Sequence, residues 1–247
     1  MKAIALIPAR LDATRFPSKL LAEIKGKTVI ARTYESAINM GLFSEVIVVT
    51  DSDKIKEEIE SIGGTVRMSQ KEHESGTDRI AEAVMDIEAD VFVNIQGDEP
   101  FVQKEPIEKL LKVFEGPMGK NVQVGSIVQK LKEEKYIEDP NYVKVVLDLR
   151  MHAMYFSRSP IPYRRDTNIA INYYEHIGVY AFRKKALIDF TLWPQSPLER
   201  VEKIECLRFI ENGVPIKMII TPYMGVEIDA PEDIAKAEAL MDANGWQ

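Results

Sequence analysis

The feature that most constrains the fold is the alternation of short β-branched runs with amphipathic helical patterns in the first half of the chain. The pattern predicts strands at residues 3–7, 46–50, 65–68 and 91–95, and helices at 29–40, 52–62 and 77–87. Such alternation is typical of βαβ units. The run 46–50 has no period-2 polarity, which indicates a strand covered on both faces. We therefore predict a doubly wound α/β fold with a mostly parallel central sheet.

The second half of the chain has a different rhythm, with more strand and less helix. The pattern predicts strands at residues 122–129, 143–148, 153–156, 177–182 and 216–220, and helices at 104–114, 198–211 and 231–242. This spacing favours a β-rich insertion of mixed or antiparallel sheet. An arginine-rich stretch broken by prolines lies between Ser157 and Tyr174 and is too long for a simple turn, so we interpret it as a functional flap.

Composition narrows the class of ligand. The chain has 247 residues with 39 acidic and 32 basic side chains. Nonspecific binding to nucleic acid or to anionic membranes depends on summed positive charge, so we expect neither partner and predict small-molecule ligands. A single cysteine, Cys206, excludes an internal disulfide. With no signal-peptide pattern and no apolar run of about 18 residues, we expect a cytoplasmic protein.

Three cations follow the first predicted strand: Arg10, Arg15 and Lys19. The carboxyl ends of strands are where open α/β sheets bind ligands, and a cationic loop there favours a polyanion such as a phosphate chain. The alternative is a solvated surface loop. Neither the Walker fingerprint nor the dinucleotide-binding fingerprint occurs, so any phosphate site belongs to another type.

Two acids far apart in the sequence are candidate ligands for Mg²⁺. Asp98 follows the buried strand 91–95, and Asp229 precedes Pro231 at the start of the last predicted helix. The alternatives are a turn former for Asp98 and a helix N-cap for Asp229. Mg²⁺ sites commonly use one or two carboxylates together with phosphate oxygens, so the hypothesis requires these two acids to meet.

Two further segments begin predicted helices. Ser75-Gly76-Thr77-Asp78-Arg79 leaves backbone N–H groups for an anionic or polar ligand, or is a simple capped helix start. Asp51-Ser52-Asp53 matches the D-x-D pattern of metal-dependent glycosyltransferases. We interpret that segment as a helix cap because a long helical pattern follows it at once.

Taken together, these segments resemble one family. The sequence is similar over nearly its whole length to the 3-deoxy-manno-octulosonate (Kdo) cytidylyltransferases, the CMP-Kdo synthetases. The segments that carry the resemblance are Ile7-Pro8-Ala9-Arg10 with Thr14-Arg15-Phe16-Pro17-Ser18-Lys19, Ser75-Gly76-Thr77-Asp78-Arg79, Asn94-Ile95-Gln96-Gly97-Asp98-Glu99-Pro100, Tyr155-Phe156-Ser157-Arg158-Ser159-Pro160-Ile161-Pro162, His176-Ile177-Gly178-Val179-Tyr180, Ser196-Pro197-Leu198-Glu199 and Asp229-Ala230-Pro231-Glu232-Asp233.

The resemblance implies a Rossmann-like nucleotidyltransferase fold and an activity. The implied reaction transfers CMP from CTP to the anomeric hydroxyl of Kdo, releases pyrophosphate, depends on Mg²⁺ and serves lipopolysaccharide biosynthesis. It implies one domain over residues 1–247, in which about 1–120 and 212–247 form the CTP-binding core. Residues from about 121 to 211 would then bind the sugar and pair two copies as a homodimer.

The resemblance also implies residue roles. Arg10 and Lys19 would grip the triphosphate, assisted by Arg15, and would act in catalysis together with the Mg²⁺ ligands Asp98 and Asp229. The residues implied to enclose the nucleotide are Ala9, Ser75, Gly76, Arg79 and Gln96. The residues implied to form the sugar pocket are Gln96, Arg158, Arg165, His176 and Tyr180, with Glu202 or Glu205 as partners of sugar hydroxyls. The family often has Gly and Pro where this chain has Ser18 and Leu20, which affects how closely and how stiffly the loop meets phosphates.

Other interpretations stay open at the level of sequence. The acceptor could be another acidic sugar, of the 8-amino-Kdo or sialic type. Asp51-Ser52-Asp53 could belong to a metal-dependent glycosyltransferase, and the chain could be a nucleotide-binding regulator without activity. His176, at the start of a predicted strand, could be a hydrogen-bonded core histidine.

Overall fold

The structure is a computed structural model that describes residues 1–11, 16–71, 73, 75–222 and 226–246. Two compact units share the chain: Met1–Lys104 with Met224–Gln247 form unit 1, and Glu105–Tyr223 form unit 2. The functional boundaries near residues 120 and 212 stay a prediction. Within the described residues, every helix is too short or too polar to cross a membrane.

Unit 1 contains the βαβ pattern expected from the sequence. Its elements are β1 (Ala3–Ala9), β2 (Glu23–Ile24), β3 (Lys27–Thr28), α1 (Val29–Asn39), β4 (Glu45–Thr50), α2 (Asp53–Ser61), β5 (Thr65–Met68), α3 (Gly76–Ala83) and β6 (Val91–Asn94). After unit 2 the chain returns for the last helix of the fold, Pro231–Asn244. The helix starts are capped locally, because the Thr28, Ser52 and Ser75 side chains each accept a hydrogen bond from a backbone N–H of the first turn.

The strands of unit 1 form a parallel sheet in the order β6, β1, β4, β5. All seven residues of β1 are buried, and so are all four residues of β6. Continuous apolar strands of this kind are typical of a parallel sheet covered on both faces. The chain runs from β1 outward to β4 and β5 and then returns to β6 on the other side of β1. The sheet therefore has a switch point between β1 and β6.

Unit 2 is a mixed sheet with helices between its strands, as the pattern predicted. Its elements are α4 (Lys104–Lys112, beginning at the boundary), α5 (Gly116–Gly119), β7 (Val124–Leu131), α6 (Glu134–Glu138), β8 (Lys144–Leu147), β9 (Ala153–Ser157), β10 (Tyr173–Phe182), α7 (Lys184–Leu192), α8 (Pro197–Glu202), α9 (Leu207–Glu211) and β11 (Ile216–Thr221). The last helix of the chain is then α10. Strand β7 pairs parallel with β11 and antiparallel with β10, and β8 pairs antiparallel with both β9 and β10.

The predicted fold class, α/β with a parallel sheet and a β-rich insertion, is confirmed. The single helix predicted over 198–211 is wrong, because the structure has two short helices there, α8 and α9. Lys203, which ends α8, has φ of 56°, in the left-handed region. That conformation stops the ladder of helical hydrogen bonds, and Cys206 lies at the start of α9 rather than inside a helix.

Candidate active site

A cavity of about 250 Å³ opens in unit 1 at the switch point of the sheet. Residues that follow β1 and β6 line it, as expected for a ligand site at the carboxyl ends of parallel strands. The lining residues are Pro8, Ala9, Arg10, Phe16, Lys19, Leu20, His73, Ser75, Gly76, Arg79, Gln96, Gly97, Asp98 and Asp229. The topology thus brings together segments that lie more than two hundred residues apart in the sequence.

The loop after β1 provides the cationic side of the cavity. Arg10 is exposed at its rim, and Lys19 begins a short 3-10 turn, Lys19–Leu21. Ser18, which precedes that turn, has φ of 56° and so adopts the left-handed conformation that glycine accepts most easily. The departure from Gly in the resembling family therefore falls at a position where the backbone itself needs this conformation. Arg15 lies outside the described residues, so its predicted role stays a prediction.

Lys19 meets both predicted metal ligands. Its Nζ forms an ion pair with Asp98 and donates a hydrogen bond to Asp229 Oδ1 at 3.0 Å. Burial disfavours the ammonium form, but attraction to Asp98 and Asp229 outweighs burial and raises the pKa of Lys19. Lys19 is therefore fully charged at neutral pH, and the two remote acids meet at one point.

The local fold explains why Asp98 and Asp229 reach this point. Asp98 lies in the turn after β6, and its carbonyl oxygen accepts a hydrogen bond from the Ile228 N–H at 3.0 Å. Asp233, not Asp229, serves the start of α10, since its carboxylate accepts from the N–H groups of Asp229 and Ala230 at 3.0 and 2.9 Å. The helix-capping alternative for Asp229 is therefore not what the structure shows.

A third acid, Glu227, completes the cluster and was missed by the sequence reasoning. Carboxylate oxygens of Asp98, Glu227 and Asp229 lie within 4.8 Å of one another. Removal from water and repulsion by these neighbours raise the pKa of Glu227. Its side chain is exposed, so we assign the larger part of that effect to the neighbouring charges. The sequence feature that could have revealed Glu227 is the alternation Glu227-Ile228-Asp229. In an extended segment this alternation puts both acids on the side opposite the isoleucine, which is fully buried in the structure.

The cluster fits a divalent cation. Mg²⁺ takes oxygen ligands, commonly one or two carboxylates with water and phosphate oxygens completing its coordination. In the structure a cation, the Lys19 ammonium, lies against Asp98 and Asp229. The position therefore already suits positive charge, and the role of the two acids as Mg²⁺ ligands stays a prediction.

The opposite side of the cavity is formed by the start of α3. The Ser75 side chain caps the helix, accepting from the Asp78 N–H at 3.1 Å. A Cβ on Gly76 would lie 3.2 Å from Pro8 Cγ, so glycine allows the close approach of the helix start to the end of β1. Ser75 and Gly76 line the cavity together with Ala9 and Gln96, and the nucleotide roles of these four residues stay predictions.

Arg79 is held by protein groups at the edge of the cavity. Its guanidinium donates to Asp51 Oδ2 at 2.7 Å and to Ser69 Oγ at 3.0 Å. Ser52 caps α2. The Asp51-Ser52-Asp53 segment thus supports Arg79 and begins a helix, and among the described residues it belongs to no acidic cluster of metal-binding geometry.

Unit 2 uses several of the predicted sugar-pocket residues in contacts within the protein. Arg158 donates from its guanidinium to the carbonyl oxygens of Glu202, Pro140 and Lys203. Glu202 accepts from the Ser157 hydroxyl at 2.7 Å and from the Arg158 N–H at 2.9 Å. These bonds hold the start of the arginine-rich stretch against α8. Arg165 is exposed and Glu205 is half-buried, and the sugar roles of all four stay predictions.

His176 and Tyr180 belong to an aromatic cluster of unit 2. The ring of His176 meets the edge of Phe156 at 4.8 Å between centroids and lies 5.2 Å from Tyr180. Burial lowers the pKa of His176 to about 3, so the ring is neutral. Tyr180 is buried, and burial raises the pKa of its hydroxyl. The sugar contact implied for Tyr180 stays a prediction.

The fold and the site together define a class. The parallel sheet has a cavity at its switch point. The turn after a buried strand, a lysine and converging carboxylates line this cavity. This is the arrangement of a nucleotide-binding enzyme that handles phosphate groups. The comparison with known proteins makes this class more specific.

The family model described as cytidylyltransferase matches residues 4–219. A protein of Christiangramia forsetii named 3-deoxy-manno-octulosonate cytidylyltransferase is 54% identical over 97% of both chains. One of the same name from Flavobacterium johnsoniae is 51% identical over 98% of this chain and 99% of its own. This chain belongs to the cytidylyltransferase family, and within it to the 3-deoxy-manno-octulosonate cytidylyltransferases.

Solved structures agree with this placement. The structure of a CMP:2-keto-3-deoxy-manno-octonic acid synthetase complexed with CTP matches with a TM-score of 0.92 and 36% identity, over 99% of this chain and 100% of that one. The 4-diphosphocytidyl-2C-methyl-D-erythritol synthase of Anaerococcus prevotii matches with a TM-score of 0.63 at 20% identity, over 98% and 99% of the chains. The second match shows the shared fold alone.

Proposed function

We propose that this protein transfers CMP from CTP to the anomeric hydroxyl of Kdo and releases pyrophosphate. In this reaction the anomeric oxygen forms a bond to the α-phosphorus while the bond from that phosphorus to the bridging oxygen breaks. The observation that carries the proposal is the meeting of Lys19, Asp98 and Asp229 at the switch point of a chain in this family. The names of the relatives support the choice of substrates.

The protein groups have separate tasks in this proposal. Transfer at phosphorus needs little covalent help from protein, and depends on alignment and on neutralisation of charge. Arg10 and Lys19 provide positive charge for the triphosphate, and Ala9 and Gly76 line the cavity that receives the nucleotide. In the structure the Lys19 ammonium is held by Asp98 and Asp229, and we expect it to exchange these partners for phosphate oxygens when CTP binds.

We also propose Mg²⁺ as the cofactor, held by Asp98 and Asp229 with Glu227 beside them. When bound, Mg²⁺ neutralises phosphate charge and lowers the pKa of a hydroxyl that it coordinates. The support is the distance of at most 4.8 Å between the three carboxylates and the positive charge already held there.

A homodimer in the cytoplasm completes the proposal. Unit 2 exposes large apolar side chains, among them Leu149, Met154 and Val201, and such side chains support an interface between copies. Cys206 is a free, buried thiol, which suits a reducing compartment. Light scattering coupled to size exclusion measures the oligomeric state, and a monomer at micromolar concentration contradicts the dimer.

The decisive experiment measures pyrophosphate release from CTP and Mg²⁺ with and without Kdo. We expect release only with Kdo, and a loss of at least about a hundredfold in kcat for Asp98→Asn and for Asp229→Asn. Asp53→Asn is the matched control, the same substitution outside the cluster, and should keep full activity. Activity lost in Asp53→Asn but kept in Asp98→Asn would favour the glycosyltransferase interpretation.

Competition between acceptors tests the sugar. Kdo, 8-amino-Kdo and a sialic acid are offered together with limiting CTP, and products are separated by mass. We expect CMP-Kdo to dominate. Preference for another acid would move the assignment to a sister cytidylyltransferase, and release of pyrophosphate without any sugar would contradict the proposed reaction.

A further inference from the structure

Ser126 of β7 places a fully buried hydroxyl against three atoms of β10. Its Oγ lies 2.8 Å from the Val179 carbonyl oxygen, 3.0 Å from His176 Nε2 and 3.3 Å from the Ile177 carbonyl oxygen. The strand register explains this convergence. Ile177 is paired with Ile127 and Tyr180 with Ser126, so residues 178 and 179 form a bulge. A bulge redirects the backbone locally, and here it brings the Val179 carbonyl to the Ser126 hydroxyl.

The protons of this group can be assigned by counting donors. A serine hydroxyl has one proton, and a carbonyl oxygen only accepts. The distance of 2.8 Å between Oγ and the Val179 oxygen is that of an O–H···O hydrogen bond, so the Ser126 proton points to Val179. Ser126 Oγ then meets His176 only as an acceptor. It follows that Nε2 of His176 carries the proton and donates it to Ser126.

The same assignment determines the other ring nitrogen. A neutral imidazole has one N–H, so with the proton on Nε2 the Nδ1 atom has a lone pair. Burial keeps the His176 ring neutral. Within the described part of the chain, the polar side-chain contact of His176 is the one to Ser126, and Nδ1 makes none.

We infer that Ser126 is a positioning residue that holds His176 in its Nε2–H form and so presents Nδ1 as a hydrogen-bond acceptor for a hydroxyl of the acceptor sugar. The identity of that hydroxyl donor rests on the proposed function, whereas the tautomer does not. The ring is also oriented by the edge contact with Phe156. An acceptor nitrogen attracts O–H groups and repels a carboxylate, so His176 reads a sugar hydroxyl and not the sugar acid.

The tautomer can be measured on the whole protein without any substrate. The chain has three histidines, so ¹⁵N labelling of histidine gives three imidazole patterns in a long-range ¹H–¹⁵N spectrum, and His176→Gln assigns the one that disappears. At pH 8 we expect a protonated Nε2, a visible hydrogen-bonded Nε2–H proton and an unprotonated Nδ1. A proton on Nδ1 in the unsubstituted protein overturns the inference, and this measurement needs no folded variant.

The functional part is tested by kinetics. Ser126→Ala should raise the KM for Kdo about tenfold, leave the KM for CTP unchanged and remove the hydrogen-bonded Nε2–H signal. Ser44→Ala is the matched control, because the Ser44 hydroxyl also donates to a carbonyl, that of Ala3 at 2.9 Å, and touches no imidazole. An unchanged KM for Kdo, or equal rises for both substrates, contradicts the role. If no sugar supports pyrophosphate release, the proposed function fails while the spectrum still decides the tautomer.

Discussion

Replacing Glu199 by alanine should destabilise unit 2 strongly, because Arg208 then keeps its charge without a counter-ion. The two side chains are 6% and 3% exposed. Arg208 Nε and Nη2 donate to the two carboxylate oxygens at 2.8 and 2.5 Å, and Nη1 donates to the Phe190 carbonyl oxygen at 3.1 Å. The guanidinium carbon also lies 3.8 Å from the centre of the Phe190 ring.

The size of the effect follows from this burial. Removing one partner of a buried ion pair costs about 3–5 kcal/mol, because the other charge is left unpaired in a medium that solvates it poorly. Glu199 also accepts from the Ser196 N–H at 3.1 Å, so alanine removes a helix-start bond as well. For a chain of this length, about 2–4 °C of Tm accompany each kcal/mol, and we expect Tm to fall by roughly 6–20 °C.

Urea and thermal unfolding, followed by tryptophan fluorescence in a Trp246→Phe background that leaves Trp193 as the reporter, measure this loss close to the pair. Trp193 reports on the right region because its ring packs edge-on against Phe209, in the same core. The double variant Glu199→Ala, Arg208→Met should recover at least half of the lost stability, since a buried apolar side chain needs no partner. Glu105→Ala, which removes an exposed i,i+4 pair with Lys109, is the control and should leave the midpoint unchanged. A cost below about 1 kcal/mol for Glu199→Ala, or a double variant no more stable than the single one, refutes the reasoning.

Three further outcomes follow from particular contacts. In Gly64→Ala the new Cβ would collide with Ile59 Cγ2, so urea unfolding should show a loss of about 1–3 kcal/mol, and an unchanged midpoint would contradict the packing. Burial lowers the pKa of His176 in the folded protein to about 3, whereas an ordinary histidine has a pKa of 6.5. Between pH 6.5 and pH 3 the unfolded chain therefore binds one proton more than the folded protein does. The free energy of unfolding consequently falls as the pH drops below 6.5. Between pH 6.5 and 5 the protein should lose about 1.6 kcal/mol more than His176→Gln does, and equal losses would show that burial does not perturb this ring. Lys19→Met should bind Mg²⁺ about tenfold more tightly in calorimetry without nucleotide, because its ammonium no longer competes for the carboxylates, and a weaker affinity would contradict the shared position.

The helix predicted over residues 198–211 shows where local pattern fails. Apolar spacing continues through the segment, but Lys203 adopts a left-handed conformation and splits it into α8 and α9. The split lets Glu199 of one helix meet Arg208 of the other. The break therefore permits a buried ion pair between two residues that are nine positions apart in the sequence. The periodicity of apolar residues does not reveal such a pair.

Arg158 shows what the residue type leaves open. The resemblance implies a contact with the anionic sugar, which stays a prediction, and the structure adds three carbonyl oxygens of unit 2 as partners of the Arg158 guanidinium. The residue type indicates a fork of N–H donors in both cases. Which acceptors satisfy that fork depends on where α8 ends, and this is decided by packing.

Local chemistry was sufficient for much of the rest. A few neighbouring residues encode a buried β-branched strand, as in β1 and β6, or a capped helix start, as at Ser75 and Ser52. For this reason the α/β class, most elements and the cationic loop could be predicted from the order of amino acids. The meeting of Asp98 with Asp229, the addition of Glu227 and the contact between His176 and Ser126 were decided by the tertiary structure. Such contacts join groups far apart along the chain, and their distances follow from strand order, register and a bulge, which short-range propensities do not determine.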